Sequence, residues 1–78
     1  YNRSLKIRRT NWLDEVRDGE SLRVKIRFQH KGASAKLMRS KDSDDYELEF
    51  DEPQRAITPG QAAVIYRDQQ LIGGGWIA

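Results

Sequence analysis

Three cations on one predicted strand face are the residues best placed to do chemistry. Arg23, Lys25 and Arg27 alternate with Leu22, Val24, Ile26 and Phe28, so the two sets point to opposite sides of a strand. Alternate residues on such a face lie about 6.6–6.8 Å apart. That spacing is comparable with the separation of successive phosphates on an extended or A-form strand, so the row could track a nucleic-acid backbone. A solvated face that discourages aggregation is the competing reading, and on spacing alone it is the stronger one. Phe28 sits in the inward register, which makes it core; at a strand end it also offers the kind of face that single-stranded RNA modules stack on a base or ribose. Arg55 adds a cation further along the chain.

Other chemistry is thinly represented. His30 is the only histidine and has no companion for a metal site or a serine triad. Asp42, Asp44 and Asp45 lack the glycine and closing glutamate of a calcium loop. Glu47, Glu49, Asp51 and Glu52 read as partners for Arg and Lys across a sheet. Gly73-Gly74-Gly75 is followed by no helix pattern and no Lys-Ser/Thr, so it is not a phosphate-binding loop. No nucleophile, base and orienter converge. The reading is no catalytic residue and no metal site.

The elements that must hold the cationic row are short strands. Leu5 and Ile7 mark a first strand within Tyr1–Arg9, and Glu20–Gln29 is the clearest one. Between them, Asn11-Trp12-Leu13 is expected to be an apolar anchor in a loop or single turn, with Asp18-Gly19 turning the chain. Lys31-Gly32 turns into Ala33–Arg39. A polar loop over 41–45 leads to Tyr46–Phe50, where Pro53 is expected to stop the ladder for want of an N–H. Thr58-Pro59-Gly60-Gln61 fits a type II turn, with Pro presetting φ and Gly tolerating a positive one. Ala62–Tyr66 then starts a strand, so Gln61 is held at a strand mouth, where scaffolds place contact residues. Arg67–Gln70 joins it to Leu71–Ile77. Glycines inside that last strand mark a bulge, a bend or the close approach of another backbone. Trp12, Trp76, Tyr46 and Tyr66 are core or barrel-cap residues by default. Six short strands in a chain of 78 residues argue for one all-β domain, a small closed six-stranded β-barrel.

Bulk composition narrows the classes further. Charged residues are 33% and hydrophobic ones 37%, with a net charge of +2, so any case for nucleic acid rests on where the cations sit. The absence of cysteine excludes disulfides, thiolate metal sites and cysteine nucleophiles. No apolar run approaches the ~20 residues of a membrane helix. The chain opens on Tyr1 rather than Met, which fits a fragment of a longer protein.

The stretch Phe50-Asp51-Glu52-Pro53-Gln54-Arg55-Ala56-Ile57-Thr58-Pro59-Gly60-Gln61-Ala62-Ala63-Val64, followed by Leu71-Ile72-Gly73-Gly74-Gly75, resembles the C-terminal domain of the tRNA-specific 2-thiouridylases, the MnmA/TrmU family. Asn11-Trp12-Leu13 and Val24-Lys25-Ile26-Arg27-Phe28 extend the likeness upstream. The resemblance implies a β-barrel like domain 2 of translation elongation factors, closing a larger multidomain enzyme. It also implies an N-terminal domain that uses ATP with Mg, a central domain and a sulfur-donor protein. Together these thiolate C2 of the wobble uridine in tRNAs for Lys, Glu and Gln through persulfide sulfur, in the cytoplasm. This chain carries none of that machinery and no cofactor of its own. The implied role is a monomeric, non-membrane barrel that grips tRNA. The family's contact positions fall on Arg27, Phe28 and Gln61, with Phe28 standing where relatives often have Tyr. That likeness moves Arg27 from solvated face to RNA contact, while Lys25 and Arg55 are added from charge placement only. The departures are Leu71, where many relatives carry a non-catalytic cysteine, and 29–40, which match poorly. The alternative is a translation-factor-type barrel that docks other domains without touching RNA; an SH3-like peptide binder would need a groove of clustered exposed aromatics.

Overall fold

Alternation makes these residues strands, and the inward set closes them on one another. The computed structural model describes residues 2–26, 32–41, 43–54 and 58–78. Its strands are β1 (Asn2–Trp12), β2 (Glu20–Ile26), β3 (Ala33–Arg39), β4 (Tyr46–Gln54), β5 (Ala62–Arg67) and β6 (Gln70–Ile77). They form a closed barrel in the order β1-β4-β3-β2-β5-β6, with β6 pairing back onto β1 and every pairing antiparallel. Closure removes the edges a small sheet would expose. The interior takes Leu22, Val24 and Ile26 from β2, Leu48 and Phe50 from β4, and Ile65 and Ile72 from β5 and β6. The all-β, six-stranded barrel expected from the sequence is the fold observed.

Strand β1 runs further than Leu5 and Ile7 suggested. Arg9 adopts φ 51°, and the register on β6 shifts between Arg8 and Asn11. This bulge bends the strand, so Ser4–Ile7 pair with β4 while Asn11 and Trp12 pair with Gly74 and Gly73 of β6. Asn11-Trp12 is therefore strand, not loop. Trp12 is half-buried and meets Tyr46 edge-on, with ring centroids 5.2 Å apart.

Pro53 lies inside β4 rather than ending it. The β3–β4 ladder stops at Phe50, and β1 jumps from Ser4↔Glu49 to Asn2↔Gln54. Pro53 falls in that gap, where its missing N–H leaves no ladder bond unmade. The triple glycine answers to close approach. An added Cβ would sit 2.5 Å from the Asn11 carbonyl oxygen at Gly73 and 2.5 Å from the Ala63 carbonyl oxygen at Gly74. A side chain at either position would push β6 off its neighbours.

The expected turn is also present. Gly60 has φ 90° and the Gln61 N–H donates to the Thr58 carbonyl at 3.3 Å, as a type II turn requires. Gly60 N–H donates to the Ile77 carbonyl at 2.7 Å, and Ile77 N–H donates to the Gln61 carbonyl at 2.8 Å. The turn is thereby fastened to the end of β6.

Candidate nucleic-acid interface

Charge matching divides the barrel surface. On β1 and β3, cations stand opposite carboxylates of β4: Lys6 faces Glu47 and Lys36 faces Glu49. These are the cross-strand partners expected for Glu47 and Glu49. On β2 the cations have no such match. Arg23 stands between Tyr66 of β5 and Ser34 of β3, and Lys25 stands opposite Val64. The Arg23–Lys25 pair is thus a cationic strip whose ladder neighbours are neutral, the arrangement that leaves charge for a polyanion.

Local packing holds this strip in shape. The Lys25 ammonium lies 5.1 Å from the centre of the Tyr66 ring, a cation–π contact. Gly32 lies beneath both stems: a Cβ there would come within 2.3 Å of Arg23 Cγ and 3.3 Å of Lys25 Cγ. Ser21, Ser34 and Tyr66 join the two cations around an open groove of about 750 Å³, with Asp68 and Gln69 lining it as well. Tyr66 and Ser34 were not singled out as site residues from the sequence. Tyr66 was hidden in the apolar run Ala62–Tyr66, although its parity against buried Ala63 and Ile65 turns it outward.

Gln61 is half-buried at the start of β5. Its side-chain carbonyl accepts a long bond of 3.4 Å from the Thr58 N–H, which orients the amide and leaves the Nε2 donors as what it can offer a ligand. Ile26 pairs with Ala63 and Lys25 with Val64, so Lys25 and Gln61 come to the same end of the β2–β5 pair. Arg27, Phe28 and Arg55 lie outside the described residues, as do His30 and Asp42.

Arg67, by contrast, is committed to structure. Its guanidinium donates to both carboxylate oxygens of Glu20 at 2.7 and 3.1 Å, to Asp14 at 3.0 Å and to the Glu15 carbonyl at 2.7 Å. The bond from Arg67 holds the Glu20 carboxyl below its usual range, against the opposing effect of burial. The same bond raises the already high Arg67 pKa.

The aminomethyltransferase beta-barrel domain family matches residues 2–77. The chain belongs to that family. Within it, the chain is similar to proteins named tRNA-specific 2-thiouridylase MnmA. It is 44% identical to that of Acidithiobacillus ferrooxidans (strain ATCC 53993 / BNL-5-31) over 99% of this chain and 22% of the relative. It is 48% identical to the one from Solibacter usitatus over 86% and 19%, and 37% identical to that of the Wolbachia of Brugia malayi over 96% and 20%. The chain spans about a fifth of the length of these relatives. The likeness to the C-terminal domain of the 2-thiouridylases therefore holds across nearly the whole barrel. No helix among the described residues is long and apolar enough to cross a membrane.

Proposed function

We propose that this barrel is the tRNA grip of a tRNA-specific 2-thiouridylase. One observation carries the reading beyond family likeness: a turn fastened to β6 holds Gln61 at the barrel mouth, at the same end of the β2–β5 pair as Lys25 of the cationic strip. Arg27, Phe28 and Arg55 complete the proposed contact set, with Arg27 giving charge-assisted bonds to phosphate and Phe28 a stacking face. The rest of the enzyme belongs to the same proposal. An N-terminal domain would use ATP and Mg to adenylate the C2 oxygen of the wobble uridine in tRNAs for Lys, Glu and Gln. Persulfide sulfur delivered by a donor protein would then replace it. This chain has no cysteine, so it supplies no part of the sulfur relay. As an isolated piece the barrel is a cytoplasmic monomer.

The test is a tRNA titration at two salt concentrations with Lys25→Ala, Arg27→Ala and Gln61→Ala. Losing one phosphate contact should flatten the slope of log K against log salt by ~0.7–0.9. Lys25→Ala and Arg27→Ala should show that change, while Gln61→Ala should lower affinity with the slope retained. Absence of salt-dependent binding by the unaltered chain would defeat the proposal.

A further inference from the structure

The cationic strip continues sideways into an apolar groove that none of the proposed contacts uses. Its floor is Gly74 and its walls are Trp76 on one side and Leu13 and Leu71 on the other, enclosing about 320 Å³. Trp76 is 51% exposed, unusual for so large an apolar ring. The register explains it. Ile77 and Gly75 point inward, so Trp76 points out, with Arg8 of β1 opposite it on one flank and Ala62 of β5 on the other. Neither neighbour is large enough and apolar enough to cover the indole. One step along, Asn11, Gly74, Val64 and Lys25 form a continuous outward row across four strands.

We infer that Trp76 is a stacking platform for an unpaired nucleobase of the bound RNA, seated over the Gly74 floor. This rests on the reading of the barrel as a tRNA grip and adds to it a subsite of defined chemistry. The surroundings favour a nucleotide over an apolar protein segment because cations flank the groove on both sides. Arg8, whose side chain is 62% exposed and only loosely paired with Asp45 at 3.9 Å, lies beside the indole. Lys25 lies two strands away and two residues along, about 12 Å from Trp76 between Cα atoms. An aromatic face between cations is what single-stranded nucleic-acid sites use: bases stack and the backbone is tracked by charge. The Asn11 amide lines the same groove and has both donors and an acceptor for a base edge. Gln61 is next door, since its carbonyl accepts from Ile77, the residue after Trp76. A flat floor suits a ring: with no side chain at Gly74, a base can approach the β6 backbone.

The experiment uses the full 78-residue chain carrying Trp12→Phe, which leaves Trp76 as the remaining indole of two. A short single-stranded oligouridylate and whole tRNA are titrated, reading binding by anisotropy of labelled RNA and stacking by quenching of indole fluorescence. Binding with quenching is expected. Trp76→Ala should weaken binding about 5- to 20-fold, toward the lower end of what losing one base–aromatic stack costs. Trp76→Phe should retain most of the affinity. Thermal midpoints of both variants confirm folding, since a solvent-facing ring bears little of the core. Binding without quenching, and unchanged in Trp76→Ala, overturns the inference while leaving the tRNA grip in place. No anisotropy change overturns both. Quenching or a blue shift that follows protein concentration without RNA assigns the groove to a second copy, and so also overturns it.

Discussion

Replacing Gly74 by alanine isolates the device that draws β5, β6 and β1 together. The new Cβ would sit 2.5 Å from the Ala63 carbonyl oxygen and 3.5 Å from the Ala63 carbonyl carbon and the Val64 Cα. All three are backbone atoms, so no side chain can swing aside. Restoring an ordinary contact of 3.4 Å requires β5 and β6 to part by roughly 0.9 Å at a ladder position. Overpacking of this kind costs ~2–3 kcal/mol. The reduced freedom of the unfolded chain offsets ~0.4–1 kcal/mol of it, leaving a net loss of ~1–2.5 kcal/mol. For a domain of 60–100 residues each kcal/mol lowers the thermal midpoint by about 4–8 °C, so the expected fall is about 4–20 °C. Total stability at 0.05–0.15 kcal/mol per residue is ~4–12 kcal/mol for 78 residues, so most of the chain stays folded at room temperature. The assay is a melt followed by circular dichroism, with hydrogen exchange at the amides of 63–65 and 73–75. A Gly74→Ala midpoint as high as that of the unaltered chain, with exchange unchanged, would refute the close-approach account of the glycine tract.

The Glu20–Arg67 contact makes stability depend on pH. Glu20 has its folded pKa lowered, chiefly by the bond from Arg67, so its contribution is present above the unfolded value near 4.5 and fades as pH falls through the lower folded value. Urea midpoints between pH 7 and pH 3 should therefore converge for the native chain and Glu20→Gln, and parallel profiles would contradict this. Gly60→Ala should cost ~1–2 kcal/mol, because φ 90° is strained for any Cβ, and should weaken tRNA binding by displacing Gln61; a melt and a titration check the two parts. Trp12→Phe should be far milder than Trp12→Ala. The indole N–H of Trp12 is buried without a hydrogen-bond partner among the described residues, and phenylalanine removes that orphan while keeping the ring against Tyr46. Trp12→Ala empties the site at a cost of ~3 kcal/mol, and paired melts distinguish them.

Where apolar and polar residues alternate, the sequence sufficed. Leu22, Val24 and Ile26 against Arg23 and Lys25 read directly as a strand with one buried face, and the structure buries that set. The Thr58–Gln61 turn was equally legible, because proline and glycine at its centre each demand one backbone shape. What escaped were features decided by distant partners. The extension of β1 through Trp12 depends on a bulge at Arg9 and on β6 supplying glycines to pair with it. The outward aim of Trp76 escaped because Gly73–Gly75 erase the apolar–polar signal just before it; only parity counted back from buried Ile77 recovers it. Tyr66 was lost the same way, in an unbroken apolar run. The site itself was half legible: Lys25 and Gln61 converge on one end of the β2–β5 pair, while the neutrality of the strip's neighbours needed the register.

That register explains how a chain with a net charge of +2 can still present a face to a polyanion. The β4 carboxylates Glu47 and Glu49 stand opposite Lys6 and Lys36, and Asp14 and Glu20 are spent on Arg67. Subtracting matched pairs leaves Arg23 and Lys25 among neutral ladder neighbours. A bulk charge near zero thus conceals a local excess, since screening over about 8–10 Å makes a ligand feel the nearest charges rather than the sum. The glycine tract acts on the same face through packing. By letting β1 and β5 close on β6 it lowers the floor beside Trp76, so stability and surface shape are set by the same three residues. Substitution at Gly74 must disturb both at once, whereas Trp76 and Lys25 can be altered with the barrel intact.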